Sequence, residues 1–168
     1  MSAMLAKMLY EEKYSDKEIY VIDSKSISGG ESQLALKALE LEEQGVQGEE
    51  LKKQIVSFRD KIRTDMVLSN FEAIKNNVKL PKFKELVETA NNINIKENYE
   101  QLIESVSSAL KNASSQTRIT ITHCNNLIGA ENLRDLLMEK TGIKNIVIMS
   151  TSGINSMLTD MGGLIVSY

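Results

Sequence analysis

Apolar residues recur along the chain at two spacings, and these divide it into helices and strands. Between Ser2 and Glu12, Met4, Leu5, Met8 and Leu9 share one helical face. Leu34, Ala35, Ala38, Leu39 and Leu41 predict a second helix, with Gly45 placed to close it. Leu51, Ile55, Phe58 and Ile62 form an amphipathic stripe in a third. Pro81 suits a first helical position, and Phe83, Leu86, Val87 and Ala90 follow it as a face. Tyr99, Leu102, Ile103, Val106, Leu110 and Ala113 stripe another helix. A last one runs from Asn126 to Lys140, with Gly142 to stop it.

The strand signals lie between these helices. Ile19 to Ile22 and Met66 to Leu68 are short apolar runs. Asn92 to Lys96 and Arg118 to Thr122 alternate with period two. Ile146 to Met149 is continuously apolar, which predicts a central strand covered on both sides. Leu164 to Val166 is a final strand, and Ser150 to Gly163, rich in Ser, Thr and Gly, reads as a loop. The alternation predicts an α/β protein with a mostly parallel sheet or sheets. A boundary between Arg63 and Pro81 divides it into two small α/β halves, 1–64 and 65–168.

Composition narrows the function classes. The 168 residues are 42% apolar and 26% charged, as in an ordinary soluble protein, and can bury a real core. The net charge of −3 argues against a nucleic-acid partner or a broad anionic-membrane footprint. Cys124 stands alone, so no internal disulfide forms and a reducing, cytoplasmic compartment is expected. No apolar run approaches the roughly 18 residues of a membrane span. The first residues lack the basic leading region of a signal peptide, and Lys7 interrupts their apolar stretch.

The turn from Asp23 to Gly30 carries the most chemistry. It follows a strand, offers the hydroxyls of Ser24, Ser26 and Ser28 and two glycines, and opens a helix. Such a turn can hold a carboxylate or phosphate. Ser28-Gly-Gly-Glu31 also fits a capping box, in which Ser28 serves only its helix. No Gly-x-Gly-x-x-Gly or P-loop lysine supports a nucleotide, and no Gly-x-Ser-x-Gly elbow supports a hydrolase. His123 is the only histidine. Its parity places it with Ile119 and Ile121 at the end of a strand, in a hydrogen-bonding or ligand-binding role. A metal site is poorly supported, because His123 and Cys124 point to opposite faces. Ser150 to Ser156, with Gly162-Gly163, forms a second hydroxyl- and glycine-rich segment where a pocket wall would stand. Phosphoryl or acyl chemistry at Asp23-Ser24 would need a base or metal that the sequence does not show. No catalytic residue and no cofactor are therefore assigned.

In order along the chain, these motifs resemble the DegV family of bacterial fatty-acid-binding proteins. Val21-Ile22-Asp23-Ser24 and Ser28-Gly29-Gly30 match the family's strand, Asp-Ser and Ser-x-Gly pattern. Ser69-Asn70-Phe71-Glu72 and the strand running into His123-Cys124-Asn125-Asn126 match later motifs. The resemblance implies two α/β domains with a long-chain fatty acid between them, presented to a fatty-acid kinase by a carrier that does not catalyse. The match starts inside the family's first domain, so that domain is expected to be incomplete. The segments bearing the family's carboxylate-binding Thr and Ser have no counterpart, nor does its C-terminal Thr-His-x-Gly-Pro-Gly, aligned here with Ser156 to Gly162. Ser24, Ser28 and Ser156 are the polar contacts expected from position. The alternative is a partial DegV-like protein that binds no lipid alone and acts through homodimerisation or a complementing chain at an exposed strand edge.

Overall fold

The computed structural model describes residues 2–14, 17–68 and 93–168. The elements are α1 (Ser2–Lys13), α2 (Gly29–Glu43), α3 (Gly48–Arg59), β1 (Thr64–Val67), β2 (Ile93–Lys96), α4 (Tyr99–Ala109), β3 (Ile119–His123), α5 (Leu127–Thr141), β4 (Ile146–Ser150), α6 (Gly153–Thr159) and β5 (Leu164–Ser167). The helix expected around Phe83 to Ala90 lies outside the described residues.

The described strands form one five-stranded sheet in the order β2-β1-β5-β3-β4. β1 pairs parallel with β2, and β3 parallel with β4. β5 runs antiparallel between β1 and β3. Four strands therefore point one way, and their carboxyl ends share an edge with the start of β5.

The two faces of the sheet differ in chemistry. On one, Ile119, Ile121, Leu164 and Val166 join Leu102 and Val106 of α4 and Ala130, Leu133 and Leu137 of α5 in the main apolar core. Residues of opposite parity carry hydroxyls: Thr64 and Ser167 share a hydrogen bond of 2.9 Å, and Thr120 Oγ1 donates to the Ser167 carbonyl. Here α2 lies across β3 and β5, and its buried Gln33 donates through Nε2 to the carbonyls of Arg118 and Ser167 and to Thr120 Oγ1. Leu34 and Leu41 of α2, with Ile55 of α3 and Ile62 just beyond it, form a separate small core.

Helix ends follow local chemistry. Asn98 and Asn126 cap α4 and α5 by accepting from the amides of Gln101 and Gly129. Gly142 adopts φ +72° and closes α5, and Gly45 at φ +79° follows α2 in the same role.

Several sequence expectations are corrected. Ile19 to Ile22 is not a strand: no described strand pairs with it, and Ile22 instead packs against the small α2–α3 core. Among the described residues Ile146 to Met149 is an edge strand, paired only to β3, and it is half-buried rather than covered on both sides. The span read as a loop contains α6. α1 buries none of its residues, and Met4, Leu5, Met8 and Leu9 are all more than half exposed.

Candidate functional site

The carboxyl edge of the sheet gathers most of the singled-out residues, and Asn126 organises it. Its amide N–H donates to His123 Nδ1 at 3.2 Å, its side-chain NH2 to the Gly162 carbonyl at 2.8 Å, and its Oδ1 accepts from the Gly129 amide. One residue, through its main-chain N–H and its side chain, thus ties the end of β3, the start of α5 and the turn before β5. The contact is close: a Cβ on Gly129 would stand 2.5 Å from Asn126 Oδ1. His123 is 6% exposed, and its Nε2 lies 3.5 Å from Ser150 Oγ at the end of β4. With Nδ1 accepting an amide, its proton sits on Nε2. The histidine is therefore a structural tie at the strand ends.

Around this tie is a cavity of about 380 Å³. Val67, Leu68, Leu164 and the ring of Tyr99 give it apolar walls, and Asn126, Gly129, Asn132 and Gly162 complete it. The Tyr99 hydroxyl donates to the Gly129 carbonyl, and burial raises its pKa. Leu127, Ile128 and Met161, chain neighbours of the lining residues, are 51%, 75% and 65% exposed. A cavity with an apolar wall on one side and amides on the other suits a ligand that joins hydrocarbon to a polar group.

None of the serines expected to meet a ligand lines this cavity. Ser28 does not cap α2 through its side chain. It adopts φ +52°, and its carbonyl accepts from the amides of Glu31 and Ser32. The Glu31 carboxylate accepts instead from Ser24 Oγ at 3.3 Å, so the capping box does not form. The start of α2 is pressed onto β3: a Cβ on Gly29 would stand 2.4 Å from Thr120 Oγ1 and 3.3 Å from Thr122 Oγ1. The hydroxyls of Ser26 and Thr122 are buried there with no hydrogen-bond partner among the described residues. Ser156 pairs its Oγ with Thr151 at 2.8 Å, and its carbonyl accepts the Cys124 thiol. Cys124 is buried, and among the described residues no cluster of three His, Cys, Asp or Glu could hold a metal ion.

The sequence reading missed Tyr99, Asn132 and Leu164 as cavity residues. Tyr99 and Leu164 sit at element ends where their apolar character was assigned to packing. Asn132 carries no signal beyond being a polar residue on an exposed helix face.

The family described as "Uncharacterised protein, DegV family" matches residues 2–95. A DegV domain-containing protein of Streptococcus pneumoniae is 28% identical over 99% of this chain, which covers 65% of that protein. Among solved structures, a DegV-family protein from Ruminococcus gnavus refined with vaccenic acid is similar at a TM-score of 0.81 and 30% identity. The match covers 99% of this chain and 66% of that one. The Streptococcus pneumoniae Fatty Acid Kinase (Fak) B3 protein loaded with linoleic acid is similar at 0.80 and 27% identity, with 99% and 65% covered. The chain thus spans just under two thirds of the length of these relatives.

Proposed function

The chain belongs to the DegV family, and on that premise we propose that it binds a long-chain fatty acid as a carrier and performs no chemistry on it. The observation that carries this reading is the cavity at the carboxyl edge, walled on its apolar side by Val67, Leu68, Tyr99 and Leu164, with the exposed Leu127, Ile128 and Met161 next in the chain to its lining residues. An acyl chain gains by leaving water for such walls, at roughly 0.8 kcal/mol per buried methylene. At about 380 Å³ the cavity is near the small end of ligand pockets, so it houses part of the chain while the rest follows the sheet edge.

The carboxylate needs polar partners, since burying it unpaired favours its protonated form. Ser24, Ser28 and Ser156 are the proposed contacts. Ser28 and Ser156 lie near the carboxyl end of β3, where Gly29 abuts Thr122 and Cys124 donates to Ser156. A carrier of this kind hands its ligand to another protein, and a fatty-acid kinase is the partner this reading implies. The domain division at 1–64 and 65–168 and a cytoplasmic location belong to the same proposal. Among the described residues no helix is long and apolar enough to cross a membrane.

Calorimetric titration of delipidated protein with oleate tests the reading. Saturable binding of one class supports it. A featureless titration, with the protein folded by circular dichroism, would remove it.

A further inference from the structure

The outer side of β4 is bare among the described residues, and the ladder to β3 fixes which main-chain groups lie along it. Ile119 donates its amide to the Asn145 carbonyl, and Thr151 donates its amide to the His123 carbonyl. With the parallel register of Ile119 to Ile146, this turns the main-chain groups of Val147 and Met149 towards β3 and those of Ile146, Ile148 and Ser150 away from it. The Ile146 amide is satisfied locally by the Lys144 carbonyl at 2.9 Å. The Ile146 carbonyl, and both main-chain groups of Ile148 and Ser150, have no partner among the described residues. Nothing blunts this edge. At the other end of the sheet β2 carries Asn94 and Lys96, whereas β4 reads Ile-Val-Ile-Met-Ser, without charge or proline and with an unbroken register.

The geometry points to this edge as the contact with a second copy of the chain, β4 pairing antiparallel to β4 about a two-fold axis at Ile148. The register follows from the free groups. Residues that turn both main-chain groups outward meet as hydrogen-bonded pairs, so Ile148 faces the partner's Ile148, and Ser150 faces the partner's Ile146. The two Ile148 residues exchange both bonds and each Ser150 amide reaches the opposite Ile146 carbonyl, about four bonds in all. Any other centre leaves some of these groups unused. The same register matches the side chains. Ile146 and Ile148 pack on the main core, and Val147 and Met149 stand half-buried on the other face. There Val147 of each copy lies directly opposite the partner's Met149, so two apolar cross-strand pairs cover what one copy leaves half-exposed. Self-complementarity in main chain and side chains is what a closed two-fold contact requires. Because β2 is polar, growth stops at two copies. No residue of β4 lines the cavity at the carboxyl edge, so the proposal stands whether or not a fatty acid binds there.

Sedimentation equilibrium of the full chain tests this, over a concentration series that reaches the high micromolar range a small interface calls for. The expected result is a reversible monomer–dimer equilibrium. Hydrogen exchange at the Ile148 and Ser150 amides is expected to slow as the dimer fills. Val147→Lys and Met149→Glu are each expected to weaken association by about tenfold. The double variant sets a lysine opposite a glutamate twice across the axis and is expected to restore association to within a few-fold. Thermal unfolding of each variant checks that the fold is kept, and the exchange measurement on the unaltered chain needs no variant at all. The proposal is overturned by a chain that stays monomeric throughout, as it would if a strand of another protein were the natural occupant of this edge. A dimer in which the Ile148 and Ser150 amides exchange as in the monomer overturns it too, as does a folded double variant no better associated than the single ones.

Discussion

Gln33 on α2 donates its side-chain amide to the main-chain carbonyl of Ser167 on β5, at 2.7 Å. The same nitrogen reaches the Arg118 carbonyl and Thr120 Oγ1, so one side chain fastens the helix to two strands beneath a layer of hydroxyls. Gln33 is 2% exposed. Replacing it with Leu keeps the bulk but removes the donor that the Arg118 and Ser167 carbonyls share. Gln33→Leu is expected to lower stability by about 1–3 kcal/mol, read by urea unfolding.

The start of α2 is sensitive to added volume. A Cβ on Gly29 meets Thr120 on the strand at 2.4 Å from Oγ1 and 3.0 Å from its Cβ, and neither atom can swing clear. Gly29→Ala is expected to cost about 1–3 kcal/mol of stability. Gly142→Ala, with nothing within 4 Å, meets no clash and is limited to the strain of its φ of +72°. Parallel denaturation curves separate crowding from backbone strain.

At the carboxyl edge, Asn132 lines the cavity from an exposed helix position. Asn132→Trp is expected to obstruct the cavity and reduce oleate affinity at least tenfold while leaving the unfolding midpoint within a few degrees. Asn126→Leu should act differently. It removes the α5 cap and the bond to Gly162, so stability falls by about 1–2 kcal/mol along with binding.

Alkaline pH probes the other end of the sheet. Asp65 is fully buried and accepts from Asn94 and from the Tyr168 hydroxyl. Burial, and then the Asp65 charge, push the Tyr168 phenol above its ordinary value. A group raised in the folded state contributes stability fully below its unfolded value of about 10, and that contribution is lost as pH rises through the folded one. Stability is therefore expected to fall above about pH 10. In Tyr168→Phe the slope of stability against pH over that range should be shallower, as measured by urea unfolding at successive pH values.

The helices were legible because their stripes are one-sided: Leu102, Ile103 and Val106 on α4, and Leu133 and Leu137 on α5, all reach the main core. The strand at 146–150 was legible as a strand but not as an edge. Ile146 and Ile148 pack on that core while Val147 and Met149 stay half-buried on the other face, and a continuous apolar run cannot distinguish that from full burial. Ile19 to Ile22 has strand composition, but a strand also needs a neighbour. The buried amide of Gln33 was not legible, since period alone says nothing of what the opposing sheet offers. Ser24, Ser28 and Ser156 pointed to the turns near the sheet edge. The cavity was not legible, because its walls come from β1, α4, α5 and β5 together.

Lipid analysis of the purified protein decides whether this chain carries a fatty acid. The protein is isolated from a bacterial host without detergent, extracted, and the extract read by mass spectrometry. A long-chain fatty acid in near-stoichiometric amount is expected, depleted in the extract of Asn132→Trp. An extract free of acyl species, from protein whose melting temperature does not move when oleate is added, would contradict it.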